Sequence, residues 1–178
     1  MMNKIAKTYW IIIFLAINTF TYAQKTNFFD AIRNNDILQI NQIIQKDRSV
    51  VNIKNKSGFT PLILASYYNR TEIAKILLAH QADINAISNM GTALMAATYK
   101  GDLQMVNILL ENKANPNIAD KKGTTALHLA CIFNKTEIAK ILLQHKAKIN
   151  LIDAQQKTAL DYAVLNNNIE LIKLFEHE

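Results

Sequence analysis

Apolar positions along the chain gather in short clusters that return on a fixed beat. Residues 124–150 show the unit most clearly: two short runs with helical spacing, a tight turn between them, and an Asn at the end. The first run, Thr125-Ala-Leu-His-Leu-Ala130, aligns with Thr60-Pro-Leu-Ile-Leu-Ala65, Thr92-Ala-Leu-Met-Ala-Ala97 and Thr158-Ala-Leu-Asp-Tyr-Ala163. The successive offsets are 32, 33 and 33 residues. The second run keeps those offsets through Ile73, Met105, Ile138 and Leu171, and the closing Asn through Asn85, Asn117 and Asn150. Self-similarity at such a period marks a stacked array, in which one unit alone cannot bury its apolar face.

The pattern divides residues 24–178 into repeats at about 26–54, 55–87, 88–119, 120–152 and 153–178. In the first, Ala31, Ile40, Ile43 and Ile44 take the apolar slots and Asn34-Asn35-Asp36 the turn. Ala31 precedes Ala65 by 34 residues, which places one extra residue near Asp47-Arg48-Ser49. In the second repeat, Pro61 suits a helix start, where its missing N–H has no intrahelical partner. The third lacks a residue between Gly91 and Thr92, which predicts a shorter loop tip. The fifth ends in polar cover at Asn167, Asn168, Glu170, Lys173, Glu176 and His177. First and last units read as caps, each with one side toward water.

These residues resemble the ankyrin-repeat family, whose unit is a β-turn loop followed by two antiparallel helices and whose usual job is binding another protein. Thr125–Ala130 follows the T-P-L-H-x-A pattern with Ala for Pro, Ile141-Leu-Leu143 matches the apolar run of the second helix, and Asp83-Ile-Asn85 the repeat ending. The resemblance covers roughly residues 26–178. It implies an all-α ankyrin-repeat solenoid of about five helix-turn-helix repeats with short β-hairpin-like loops. It names no partner. Where the family has Gly after the second helix, this chain has Gln81, Lys113 and Lys146, each expected to hold a left-handed backbone at roughly 1 kcal/mol.

The N-terminus is of another kind. Lys4 and Lys7 precede the apolar run Trp10–Ile17, and Thr21-Tyr-Ala23 follows with small residues at cleavage-type positions. That is the layout of a secretory signal peptide over 1–23, cut near Ala23, and it predicts an exported, bacterial-type protein, periplasmic or secreted. The run is short of the ~20 residues a membrane span needs. The alternative is an uncleaved segment that anchors an envelope scaffold, the one case in which a membrane is a partner. Cleavage would lower the net charge from +6 to +4 by removing two Lys and no acid. This modest excess favours partners with an acidic surface. Export and the lack of a groove-reading motif argue against nucleic acid.

Candidate chemistry is sparse. His128 occupies the His of the resembled motif and is expected to be structural, bridging adjacent loops. His80 and His145 sit at the ends of second helices two repeats apart, too far to share a metal. The lone Cys131 falls where a small buried residue is wanted. No metalloprotease, nucleophile-elbow or phosphate-loop motif is present. The expectation is therefore no enzyme, no cofactor, no metal and no small-molecule substrate. Glu72/Lys75, Glu137/Lys140 and Glu170/Lys173 recur at i,i+3 and predict paired outer faces worth tenths of a kcal/mol. Asn69-Arg-Thr71 and Asn134-Lys-Thr136 match a glycosylation sequon only because the repeat recurs.

The informative positions are those the repeat leaves free. In the resembled family the loop tips and the last turn of each first helix line the concave side. Carried over, the helix positions are Tyr67 and Tyr68, Tyr99 and Lys100, Ile132 and Phe133, then Leu165 and Asn166. The tips contribute Lys54, Lys56, Phe59, Met90, Lys121, Lys122 and Lys157, with Asp120 and Asp153 holding turns. Two readings compete for the rings, a partner site and simple packing between helices. Taking the stripe as a site, the partner-binding residues are Phe59, Tyr67, Tyr68, Met90, Tyr99, Lys100, Lys121, Lys122, Ile132, Phe133 and Leu165. The expected function is a monomeric module that binds a protein partner, as inhibitor, immunity factor or accessory subunit of an exported enzyme.

Overall fold

The computed structural model describes residues 27–176, so the signal-like segment and its junction at Ala23 lie outside the described residues. The repeating Thr starts each first helix for a simple reason. Its side-chain oxygen accepts the amide three residues on, satisfying a donor that has no partner within the helix. Thr60 caps α3 (Pro61–Tyr67), Thr92 caps α5 (Ala93–Lys100), Thr125 caps α7 (Ala126–Ile132) and Thr158 caps α9 (Ala159–Leu165). Second helices follow after a tight turn: α4 (Thr71–Ala79), α6 (Leu103–Glu111), α8 (Thr136–Gln144) and α10 (Ile169–Leu174). The first repeat supplies α1 at 27–34, α2 (Ile37–Lys46) and, at its extra residue, a 3-10 turn over Arg48–Asn52.

Helices of one kind stack on their own kind. α3, α5, α7 and α9 pack in one row, and α2, α4, α6, α8 and α10 in a second. Ala65, Ala97, Ala130 and Ala163 at the same motif position are all 0% exposed, and their small side chains let neighbouring first helices approach closely. One continuous apolar core runs from Phe28 to Phe175. Among the described residues there is no strand, only an isolated bridge between Ser88 and Gly91. The all-α expectation holds, and no helix among the described residues is long and apolar enough to cross a membrane.

Backbone sign repeats with the sequence. Gln81, Lys113 and Lys146 have φ of 63°, 68° and 65°, the left-handed positions expected after the second helices. The inter-helix turns use Asn35, Asn69, Asn134 and Asn167 in the same conformation, which Asn tolerates better than most residues. This accounts for the Asn of both sequons. The closing Asn also has a job. Asn52 Oδ1 accepts from Asp83 N at 2.7 Å, Asn85 Oδ1 from Asn115 N at 2.9 Å and Asn117 Oδ1 from Lys148 N at 2.7 Å. These bonds tie each loop to the next, so Asn117→Ala is expected to cost about 1–2 kcal/mol in a denaturant melt.

One expectation is corrected. Of the three recurring Glu/Lys pairs only Glu72–Lys75 forms, at 2.7 Å. Glu137/Lys140 and Glu170/Lys173 do not pair, because an exposed ion pair gains little in water against the entropy of two long side chains.

Candidate functional site

The loop tips differ in length. Asn55, Asp120 and Asp153 each head a tip closed by amide bonds to a residue four positions on, at 3.0, 2.9 and 3.0 Å. In the third repeat Ser88 and Gly91, three positions apart, exchange both bonds at 2.9 and 3.2 Å. The shortened tip is thus present. Gly91 has φ +88°, a conformation that side chains resist, and a Cβ there would lie 2.4 Å from Met95 Sδ.

Above this tip, in the angle between the loops and the first-helix row, lies a groove of about 240 Å³. Phe59, Asn89, Met90, Asp120 and Lys122 enter from the loops; Ile63, Tyr67, Met95, Ala96, Tyr99 and Leu129 enter from α3, α5 and α7. Beside it the rings form a ladder across repeats. Tyr67 and Tyr99 stack at 6.4 Å with an 8° interplanar angle, and Tyr99 meets Phe133 edge-on at 5.1 Å. Tyr68 meets Tyr67 edge-on at 5.3 Å, and Lys100 Nζ sits 5.1 Å from the Tyr67 centroid. The rings do pack on one another, yet Tyr99 and Phe133 stay 45% and 42% exposed and Met90 54%. The rings thus pack on one another and still leave part of their surface open to solvent.

The remaining candidates fall around this centre. Ile132 is half-buried. Leu165, one repeat beyond the last ring of the ladder, is 59% exposed. Lys121 is tied down through Nζ to Asn89 Oδ1 at 3.0 Å. Asp120 holds its turn by accepting the Lys122 and Thr124 amides at 2.8 and 3.0 Å, and it also places a carboxylate at the groove wall. Ile63, Met95, Ala96 and Leu129 were not singled out in the sequence. Their signal was there, since Ala96 stands where the other repeats have Leu64, Leu129 and Tyr162, but its meaning depends on where that position points.

The titratable groups elsewhere are structural. Thr125 N donates to His128 Nδ1 at 3.2 Å, so the other nitrogen carries the proton that reaches Lys157 O at 3.1 Å. With both nitrogens engaged and only 1% of the residue exposed, His128 bridges two loops and offers nothing to a substrate or metal. Burial pushes the Cys131 thiol up to about 12, leaving almost no thiolate at neutral pH. Among the described residues no group of three or more potential ligands could hold a metal.

In the last repeat Tyr162 Oη donates to Asp153, which also accepts the Gln155 and Lys157 amides at 2.8 and 3.1 Å. Burial pushes the Asp153 carboxyl up, but these three bonds together outweigh it and hold it below its ordinary value. Donation to Asp153, then burial, pushes the Tyr162 phenol up to about 12. A raised phenol stabilises the fold fully below its unfolded value of about 10, and that contribution is lost as pH rises through about 12. Stability should fall across that window, and the fall should be shallower in Tyr162→Phe, as equilibrium unfolding against pH would register.

Comparison with known proteins bears on the whole of this arrangement. A family model described as ankyrin repeats (3 copies) matches residues 28–120 and again 94–178. The rat ankyrin repeat and SAM domain-containing protein 6 is 31% identical over 113 residues, which is 62% of this chain and 13% of that protein. Its mouse counterpart is 30% identical over the same length. An ankyrin repeat protein of Acanthamoeba polyphaga mimivirus is 35% identical over 91 residues, 51% of this chain and 12% of that protein. The chain thus spans about an eighth of the length of the curated relatives it matches. No catalytic family is among these similarities. With Thr-capped first helices, Asn-tied loops and family matches that together run from 28 to 178, the chain belongs to the ankyrin-repeat family, a family of protein–protein interaction modules.

Proposed function

We propose that this protein is an exported interaction module that holds a partner protein in the groove between its loop tips and first helices. The observation that carries the reading is the Tyr67–Tyr99–Phe133 ladder, which crosses three repeats and keeps its outer surface open beside an apolar groove. Contiguous exposed apolar surface of this kind marks interaction sites, and rigid aromatic side chains lose little entropy on binding. Lys100 and Lys122 at its edge favour a partner with acidic surroundings. The role that fits is an inhibitor, immunity factor or accessory subunit of an exported enzyme, acting as a monomer in the periplasm or outside the cell.

The test is affinity capture from extracts of the source cell's envelope with tagged protein. A Tyr67/Tyr99/Phe133→Ala variant, first shown to be folded, runs in parallel. A partner held by the parent and lost by the variant supports the reading. A partner held equally by both would move the site off this face.

A second reading rests on the apolar run Trp10–Ile17. If it is retained, it would anchor an envelope scaffold. N-terminal sequencing of the mature protein separates the two, since a chain that begins at Gln24 has lost the anchor.

A further inference from the structure

We infer that the groove recognises its partner through one bulky aromatic side chain, inserted over Ala96 and flanked in the partner's sequence by carboxylates. This rests on the interaction reading above and adds to it the chemistry of the ligand.

The cavity is built by two departures of the third repeat from its neighbours. At the fifth position of the first-helix motif, repeats two, four and five carry Leu64, Leu129 and Tyr162, whereas the third carries Ala96. A full side chain is therefore missing from the floor at the centre of the array. The tip above that floor is also one residue shorter than the tips at Asn55–Phe59 and Asp120–Thr124, which lowers the wall that would otherwise close over it. Ala96 is still 8% exposed, so the recess is deep and not an open step.

The lining selects the occupant. Met90 and Met95 supply flexible thioethers, which pack well on aromatic rings, and Tyr67 and Tyr99 supply ring faces. A volume of about 240 Å³ lies below the roughly 300–1,000 Å³ of sites for free organic ligands and suits one large side chain carried on a chain. At the rim, Lys122 lines the cavity and Lys100 lies over the Tyr67 ring. The opposing acid, Asp120, has one carboxylate oxygen already engaged by two backbone amides. Lys100 and Lys122 against the single carboxylate of Asp120 leave the rim with a net positive charge, which favours carboxylates beside the anchor.

The Met90 and Met95 ε-methyl groups report directly on the cavity, by NMR of methyl-labelled protein. Three tripeptide amides serve as probes: acetyl-Asp-Trp-Asp, acetyl-Lys-Trp-Lys and acetyl-Asp-Ala-Asp. Saturable movement of both methyls is expected with the first and none with the third. The second should bind at least roughly fivefold more weakly, with the gap closing as salt rises. Ala96→Leu restores the side chain found at 64 and 129, so it should fold with an unchanged or higher melting temperature and lose the response. Insertion of Thr between Gly91 and Thr92 restores the neighbouring tip length and should weaken the response independently. Absence of saturable shifts, a response that survives Ala96→Leu, or equal binding of the acidic and basic probes would each overturn the inference. The same variants in the capture experiment keep the two proposals apart. A partner lost with the ring variant but kept by Ala96→Leu leaves the interaction face standing and removes the anchor.

Discussion

Leu94→Ala is expected to destabilise the protein by about 2–5 kcal/mol, the cost of deleting a buried Leu side chain and leaving a cavity that its surroundings fill only in part. Leu94 is 1% exposed and lies on α5, which packs on α3 at one side and α7 at the other. In a stack that contacts only nearest neighbours, damage at the centre weakens two interfaces at once. The loss is therefore a large share of the roughly 5–15 kcal/mol that holds a domain of this kind. Leu160 holds the same motif position in the last repeat, where no further helix pair covers it among the described residues and it is only half-buried. Leu160→Ala should thus cost clearly less. Urea unfolding followed by circular dichroism compares them, and equal losses would mean that the end repeat is as well packed as the middle one.

The second large effect falls on binding. Tyr99→Ala should weaken the hold on the captured partner by about 1–4 kcal/mol, the range for a central aromatic anchor. The ring is the middle member of the ladder, between Tyr67 and Phe133. Its removal takes away two ring contacts worth roughly 0.5–1.5 kcal/mol each, so some stability will be lost as well. With 45% of the residue exposed, that loss should leave the helical signal intact at room temperature. Titration calorimetry beside a thermal melt separates the two quantities. Binding that falls only in proportion to the folded fraction would make the ring a packing element and sink the site.

Much of the fold was legible in the residues because the repeat states it four times. A Thr at the same motif position recurs as the N-cap, the apolar residues keep helical spacing, and the small Ala five places on permits close stacking. The missing residue after Gly91 read correctly as a shorter tip, and the His of the motif as a loop bridge. The closing Asn was visible as a recurrence only. Its reason, an amide and a carbonyl that join successive loops, requires the loops to be adjacent. Two of the three Glu/Lys pairs misled for a physical cause: spacing places two charges on one helix face, but does not make them meet when water screens both.

The candidate site was legible in outline and not in depth. Exposure of Tyr99, Met90 and Phe133 follows from their place late in the first helices and at the tips. Whether such rings stack on one another or point apart depends on the offset between neighbouring helices, which is set by side chains 32 or 33 residues away. The sequence by itself determined the repeat, the Thr caps of its first helices, its helix pairs and the row on which the aromatics fall, since each of these is a local or periodic property. Only the tertiary structure decided that the rings form a continuous ladder and that Ala96 and a short tip open one recess in its centre. A cavity is a relation between residues far apart in the chain, and it exists only once the repeats are stacked.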